Sequence, residues 1–519
     1  MTDAARTVVI GAGHNGLAAA AYLGRAGRRV LVLEAAEHVG GAAVTREFAP
    51  RFRVSAVAHL VHLLDPAVVR ELELARHGLA FARDSLRTVA LDPRGEAAVL
   101  DAGRVAGGPV SDADRAAYTA FIERMRRFAA VLGRQHRRVP PRLAWNSLAE
   151  ALPAAQLGLD IRRLGRDDMR EFLRIVTMPI YDLVEETFEG PLLKGAIALD
   201  AVLGTRLGAR SGNTVFSYLH RLSGAAWGLR GAALPRGGAG SVSDALAAAA
   251  RLAGAEIRLG SPVAEIVIAA GRAAGVRLAD GEFIAADAVV SSADPRTTLL
   301  GLLGARHLEA EFAQRVQHLR AIGTAAKVHL ALAAAPAFTG VAAADAGERL
   351  VIAPSATYVD EAFNPAKYRH HSQQPVVEVT VPSLSDPTLA PPGQHVLSAI
   401  VQYAPYDLEG GWERARASFL ELVLELLERH APGIRAQVVA AQLLTPADLE
   451  REYRIGGGHW HHAELSIDQA LMLRPVPGAA QYATPVDGLY LCGAGCHPGG
   501  GLIGAAGRNA ARVVAGGPR

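Results

Sequence analysis

Lysine is nearly missing from this 519-residue chain: Lys194, Lys327 and Lys367 are the only three, and arginine supplies the rest of the 54 basic residues. Against 51 acidic residues this leaves a formal net charge of only +3, so no nucleic-acid partner is expected. The arginine bias, with abundant alanine and glycine, reads as genome composition rather than function. Cysteine is scarcer still. Cys492 and Cys496 form C-x3-C, which is not the C-x-x-C spacing of a redox pair, so disulfide-reductase chemistry is not expected. They read instead as small residues lining a glycine loop. No stretch reaches the roughly 18 uninterrupted apolar residues of a membrane span. Met1–Arg6 also lacks a charged-then-apolar signal pattern. The expected setting is therefore cytoplasmic, soluble and reducing. Half of the residues are hydrophobic, enough for a large core without disulfides or metal. The length allows two domains, interleaved or consecutive.

The chain is most informative near its start. Thr7–Ile10 is a β-branched apolar run that predicts a buried strand. Gly11, Gly13 and Gly16 then form G-x-G-x-x-G, followed by an alanine-rich helix to about Arg25 and a second strand, Arg29–Leu33, ending in Glu34. Gly11 permits the tight turn and Gly13 lets backbone approach a pyrophosphate. Gly16 allows close helix–strand packing, and the helix N-terminus offers unpaired N–H groups to phosphate. Glu34, 23 residues after Gly11, is placed to accept hydrogen bonds from a ribose diol. A dinucleotide site follows. Gly40-Gly41 would let backbone approach the ligand again beyond the first phosphate; an ordinary permissive loop is the plain alternative.

Further along, Asp65-Pro66 predicts a helix to about His77. Ser111 with Asp114 predicts another helix start. From there Tyr118, Phe121, Ile122, Met125, Phe128 and Leu132 share one helical face. Arg134–Arg138 is a basic cluster closed by Val139 and Pro140-Pro141. It reads as a solvated helix end or as a membrane-surface contact beside the entrance for an apolar substrate. The stretch 80–223 reads as a mainly helical insertion. Residues 255–292 alternate like strands, with Asp280-Gly281 as a hairpin turn. No second G-x-G-x-x-G opens another strand–helix unit, so no separate NAD(P)H domain is expected. Between 296 and 455, Ala326–Leu332 and Val376–Val381 read as strands and Ser418–Arg429 as an amphipathic helix.

Gly488–Cys492 is a short apolar strand that opens into GAGCHPGGGLIGAAGRNAARVV, again glycines followed by an alanine-rich helix. That order predicts a terminus folded back beside the first strand. Together VVIGAGHNGL, GGAAVT, PRGGAGSVSDAL, LAPPGQHV, QYAPY, LSIDQ, RPVP and LYLCGAGCHPGGG resemble the phytoene-dehydrogenase-related FAD flavoproteins of the amine oxidase and carotenoid desaturase superfamily, over nearly the full length. Two departures stand out. Cys496 replaces the desaturase threonine and Ile503 the desaturase proline, which speaks against a long polyene substrate.

The resemblance implies an α/β fold: a Rossmann-like FAD-binding domain of the two-dinucleotide-binding flavoprotein type, interleaved with a mixed α+β substrate domain. The boundaries are 1–79, 224–295 and 456–519 for the FAD domain, and 80–223 and 296–455 for the substrate domain. FAD is implied to meet Gly11, Gly13, His14, Asn15, Gly16 and Glu34, then Gly40, Gly41, Ala42 and Thr45. Val263 would follow through its backbone at adenine, and Gly493, Ala494, Gly501, Leu502 and Ile503 at the flavin end. Trp227, Pro235, Gly237 and Gly238 would run beneath the flavin. Lys327 resembles the amine oxidase lysine that holds a water near flavin N5, a surface lysine on a strand edge being the alternative. His462 and His497 are further candidates for chemistry, followed by His59 and His62. No metal set is convincing around His459, His461 and His462.

The reaction implied is hydride transfer between a carbon centre of a fairly apolar small molecule and FAD, with oxygen or quinone as electron acceptor. An amine oxidase-like C–N dehydrogenase, a saturase or isomerase, and a non-catalytic FAD-stabilised partner protein are the alternatives. An aromatic content of 5% makes the paired-aromatic cage of an amine oxidase hard to build. Peripheral membrane contact and a homodimer are left open.

Overall fold

The apolar run Arg6–Ile10 is the middle strand of a five-stranded parallel sheet, flanked on one side by Arg29–Leu33 and on the other by Ala288–Ser291. Val8 lies between Leu31 and Val289 in register. Glu256–Arg258 and Leu489–Leu491 form the edges. Strands covered on both faces need apolar side chains throughout, which is why Val8, Val9 and Val32 are fully buried. This computed structural model describes residues 6–142 and 148–516. The first helix, His14–Arg25, packs against the helices Gly240–Leu252 and Ala505–Val514. Glycine makes both contacts: a Cβ on Gly24 would stand 2.4 Å from the Ala253 carbonyl oxygen, and one on Gly507 2.1 Å from that of Asn15.

The C-terminal strand corrects one expectation. Leu489–Leu491 pairs with Ala288–Ser291 rather than with the first strand, because the meander through the Asp280-Gly281 turn has already delivered Ala288–Ser291 to that edge. The hairpin itself forms, with the Leu278 amide donating to the Glu282 carbonyl at 2.9 Å.

A second sheet of eight strands runs in the order 438–444, 325–332, 395–402, 377–380, 349–352, 88–91, 97–101 and 104–107. Its pairs are antiparallel except for 349–352 against 88–91. Residues 80–223 are thus not mainly helical from their start. Four strands lie between Phe81 and Gly107 before the helices begin. The short turn at Asp92–Gly95, closed by the Gly95 amide on the Asp92 carbonyl, breaks this stretch before any helical period can build up.

Ser111 does cap the long helix, accepting from the Asp114 amide at 3.1 Å, and that helix continues past Leu132 to His136. The Pro66–Glu71 helix stops well short of His77, since Glu73 takes a left-handed φ of 52°. Trp412–His430 forms the helix expected over Ser418–Arg429, starting earlier. The basic cluster is neither a freely solvated end nor an open positive patch. Arg134 and Arg138 bond the buried Asp160 at 2.9 and 2.7 Å, and Arg137 bonds the buried Asp65 at 2.9 Å. No described helix is long and apolar enough to cross a membrane.

Candidate functional site

The first helix begins at Gly13 with no side-chain cap, so the amides of its first turn are unsatisfied and face outward. A Cβ on Gly13 would meet nothing within 4 Å, which shows open space over the turn. Gly40 crosses directly beside it, its amide donating to the Ala12 carbonyl at 2.9 Å, with φ at 121°. Glu34 is fixed at the end of its strand by the Ala12 and Ala36 amides, at 2.6 and 2.9 Å. These features line a long groove with Gly11, His14, Asn15, Gly41, Ala42, Val263, Gly493 and Ala494. Inside it the Asn15 Oδ1 is buried and has no partner among the described residues. Uncapped amides and a bare glycine turn fit a dinucleotide pyrophosphate.

The far wall of the groove is made by residues that the sequence pattern did not mark: Glu450, Tyr453 and Arg454 at the end of the Pro446–Tyr453 helix, then Trp460. His462 lines it as well, with a φ of 58° and its Nδ1 buried without a partner among the described residues.

Three residues expected against the cofactor support the groove without lining it. A Cβ on Gly16 would stand 2.1 Å from the Gly11 carbonyl oxygen, so Gly16 is the helix–strand contact. The Thr45 hydroxyl donates to the Gly237 carbonyl at 2.8 Å and accepts from the Gly240 amide at 3.1 Å. Ile503 packs on Leu63 and Ala505. Trp227, Pro235, Gly237 and Gly238 line neither the groove nor the cavity beyond it. Trp227 packs on His136 and lies under the Arg137 guanidinium.

At His14, Ala42, Trp460 and Ala494 the groove passes into a second cavity. Val57, Leu60, Leu63, Leu203, Ile400, Leu465, Gly501 and Leu502 make it largely apolar. Among the described residues, Trp460 is the one aromatic ring on its walls apart from the histidines His14, His59, His62, His220 and His461. His220 Nε2 sits 3.1 Å from the Gly500 carbonyl, and burial lowers its pKa to about 4.

Behind His59 lies a buried chain of polar groups. Lys327 Nζ donates to His59 Nδ1 at 2.8 Å and to Ser398 Oγ at 2.9 Å, and His59 Nε2 meets Glu378 Oε1 at 2.9 Å. Arg221 bonds Glu378 at 3.0 Å and Asp200 at 3.1 Å, while Arg349 bonds both acids. Burial first, then Lys327, holds the His59 pKa down to about 4. The ring is therefore neutral, with Nε2–H donating to Glu378 and Nδ1 accepting from Lys327. Burial lowers Lys327 to about 7, with Glu378 acting in the opposite sense. On Glu378 burial acts upward, but Arg349, Arg221 and His59 outweigh it and hold the acid well below the usual carboxylate range.

Lys327 is fully buried and stands one residue back from the cavity wall, with His59 between. It is not the edge lysine of the alternative reading. His62 lines the cavity, but His497 does not: its Nε2 lies 2.9 Å from the Gln135 carbonyl, on the side of the long helix. Glu378 went unmarked in the sequence, although a signal was present. An acid in the middle of the buried strand VVEVTV must find a cation, and Lys327 in AKVHLAL is the mirror case. Both cysteines are buried free thiols, Cys496 pushed up to about 12 by burial.

Comparison with known proteins agrees with this geometry. Residues 16–515 match the family described as flavin containing amine oxidoreductase. The mouse pyridine nucleotide-disulfide oxidoreductase domain-containing protein 2 is 37% identical, over 98% of this chain and 92% of that protein. A limonene dehydrogenase polypeptide of Castellaniella defragrans is 28% identical, over 98% of this chain and 94% of that one. A crystal structure of an oxidoreductase from Methanosarcina mazei shares the fold with a TM-score of 0.59 at 20% identity, covering 98% of this chain and 99% of that one. An uncapped Gly13 turn, Glu34 at the end of the second strand and a C-terminal glycine loop share one groove that fits FAD, and the chain belongs to the flavin-containing amine oxidoreductase family.

Proposed function

We propose that this FAD-dependent oxidoreductase moves a hydride between a carbon centre of a fairly apolar small molecule and the flavin. The observation that carries the reading is the cavity itself: it opens from the dinucleotide groove at Ala494 and Trp460 and is walled mostly by aliphatic side chains. Bound FAD supplies a hydride acceptor at its N5. The protein's part is to orient the substrate, exclude water and hold charge nearby. Val57, Leu60, Leu203 and Ile400 exclude water. Lys327 holds a proton on Nζ near neutrality. His59 does not take it, because its own pKa of about 4 lies well below the value of about 7 at Lys327. His59 thus acts as a neutral spacer between Lys327 and the cavity wall, where Glu378 is itself present.

The C–N dehydrogenase alternative has less support. Its cage needs two facing aromatic rings, and among the described residues Trp460 alone is present on the walls apart from histidines. Asp200 and Glu378, the acids on its walls that could attract an amine, are already bonded by Arg221 and Arg349. The direct experiment is anaerobic mixing of the holoprotein with limonene, other cyclic or branched alkenes, apolar carboxylic acids, and primary amines, followed at the long-wavelength flavin band. Bleaching by a carbon substrate and not by amines is the expected result. Bleaching by amines alone would overturn the proposal in favour of C–N oxidation.

A further inference from the structure

A second, polar chamber adjoins the apolar cavity, and the two meet at His62, Asp200 and Arg221. Four arginines stand in its walls, Arg126, Arg221, Arg230 and Arg349, against two carboxylates, Asp101 and Asp200. The charges are unequally committed. Asp200 is held by Arg221 and Arg349, which also hold Glu378 between them. Arg126, on the long helix, donates only to the carbonyls of Ala102 and Arg230, at 3.1 and 3.2 Å, and has no carboxylate partner among the described residues.

Two further donors face the same space. Tyr118 and Tyr218 line the chamber at 7% and 2% exposure. Neither hydroxyl has a hydrogen-bond partner among the described residues, and neither is among the polar atoms wholly shut off from the chamber. Burial, with Asp200 acting in the same sense, holds both phenols protonated at neutral pH, so each remains a donor. The two hydroxyls and the Arg126 guanidinium have no anionic partner among the described residues, which leaves each with donor capacity to spare. An acceptor-only anionic group would satisfy all three at once.

We propose that this chamber receives the carboxylate end of the substrate, whose hydrocarbon part lies in the apolar cavity against the flavin site. The substrate class is then an apolar carboxylic acid, not a neutral hydrocarbon and not an amine. This rests on the carbon-oxidoreductase reading above and narrows it. A neutral hydrocarbon would leave Arg126 and both phenols unanswered. An amine would enter a chamber where cationic side chains outnumber acids.

The test uses the holoprotein and three probes of one chain length: decanoate, methyl decanoate and decylamine. Binding is read by calorimetry and by the perturbation of the bound flavin spectrum, without turnover. Hydrogen bonds to a charged group set the scale, so decanoate should bind about tenfold or more tighter than methyl decanoate. Arg126→Met should remove about tenfold of decanoate affinity and leave methyl decanoate within about twofold. Tyr118→Phe/Tyr218→Phe should weaken decanoate in the same selective way. Because those hydroxyls hold no other group in place, that variant serves if Arg126→Met loses its flavin. Equal binding of acid and ester, preference for decylamine, no binding of decanoate, or equal loss of both ligands in the variants with flavin retained would each overturn the proposal. Failure of the underlying reading looks different: a protein without flavin, or a flavin that no carbon compound bleaches, whatever the binding data show.

Discussion

The dinucleotide groove and the cavity beside it are built from different materials. In the groove, backbone does most of the holding: bare amides at Gly13, the crossing of Gly40, and the glycine loop at Gly493. In the cavity and the chamber behind it, side chains do the work, and they arrive from far apart. The Lys327–His59 contact joins residues 268 apart in sequence, and His59–Glu378 joins residues 319 apart. Backbone amides offer a fixed pattern that suits any dinucleotide phosphate, so the groove carries little information about the substrate. Side chains set charge, shape and proton affinity one position at a time, so specificity is written in the cavity. Damage should follow the same division: changes in the groove should release flavin, and changes in the cavity should leave flavin bound and alter its behaviour.

The largest effect is expected where the two regions are joined. Arg474 is fully buried and donates to six backbone carbonyls, among them Ala494 and Cys496 of the glycine loop and His461 and Glu464 of the segment facing it. Replacing it with methionine leaves those carbonyls unsatisfied, and stability should fall by about 3–5 kcal/mol. Urea unfolding measures this, and flavin loss should accompany it. A change below about 1 kcal/mol would mean that the loop is held by other contacts.

Gly16→Ala attacks the groove alone. Its new Cβ would press on the Gly11 carbonyl oxygen, which is backbone and cannot swing aside. Overpacking of this kind costs about 1–3 kcal/mol, and flavin affinity should drop by about tenfold or more. Flavin content after dialysis is the readout. Retention equal to the parent protein would show that the turn has more slack than its contacts indicate.

Lys327→Met attacks the cavity alone, and should retain full flavin. Two measurements sharpen its role. Reoxidation of the reduced flavin by oxygen should slow, and an unchanged rate would remove Lys327 from that step. Stability gives an independent check with a definite sign. Lys327 falls from 10.5 in the unfolded chain to about 7 when folded, so between those values the unfolded state binds the extra proton. The parent should therefore gain stability relative to Lys327→Met as pH rises from about 7 to about 9, by about 2 kcal/mol, and show no relative change at lower pH. A pH-independent difference would place the Lys327 proton elsewhere. Lys367→Met is the small end of the scale: its exposed Nζ reaches Asn364 and the Phe363 ring, and neither measurement should move by more than about 0.5 kcal/mol.

The sites differed in how readable they were. Gly11, Gly13 and Glu34 declare a dinucleotide turn because the whole device lies within one short segment, where residue order alone fixes which groups meet. Val263 was legible only through the family resemblance, whereas the loop at Gly493 was marked by its own order of strand, glycines and helix, and the structure sets both in the same groove as Gly13. Glu378 was readable only as an anomaly, an acid in an apolar strand; nothing nearby in sequence names Arg349 and His59 as its partners. The fate of Arg134–Arg138 was not readable at all. Whether such a cluster faces water, lipid or buried acids depends on where Asp65 and Asp160 come to rest.

By itself, then, the amino-acid order determined an α/β chain with a glycine turn at each end and a strand meander between them. Local periodicity and backbone freedom at glycine are properties of short segments and survive without tertiary context. Tertiary structure alone decided that Ala288–Ser291 separates the first strand from the last, that Lys327 stands behind His59, and that an apolar cavity abuts a chamber lined with arginines and two tyrosines. Burial makes the difference. A charge or hydroxyl removed from water must be answered by whatever group the fold brings beside it, and only the folded chain settles which group that is.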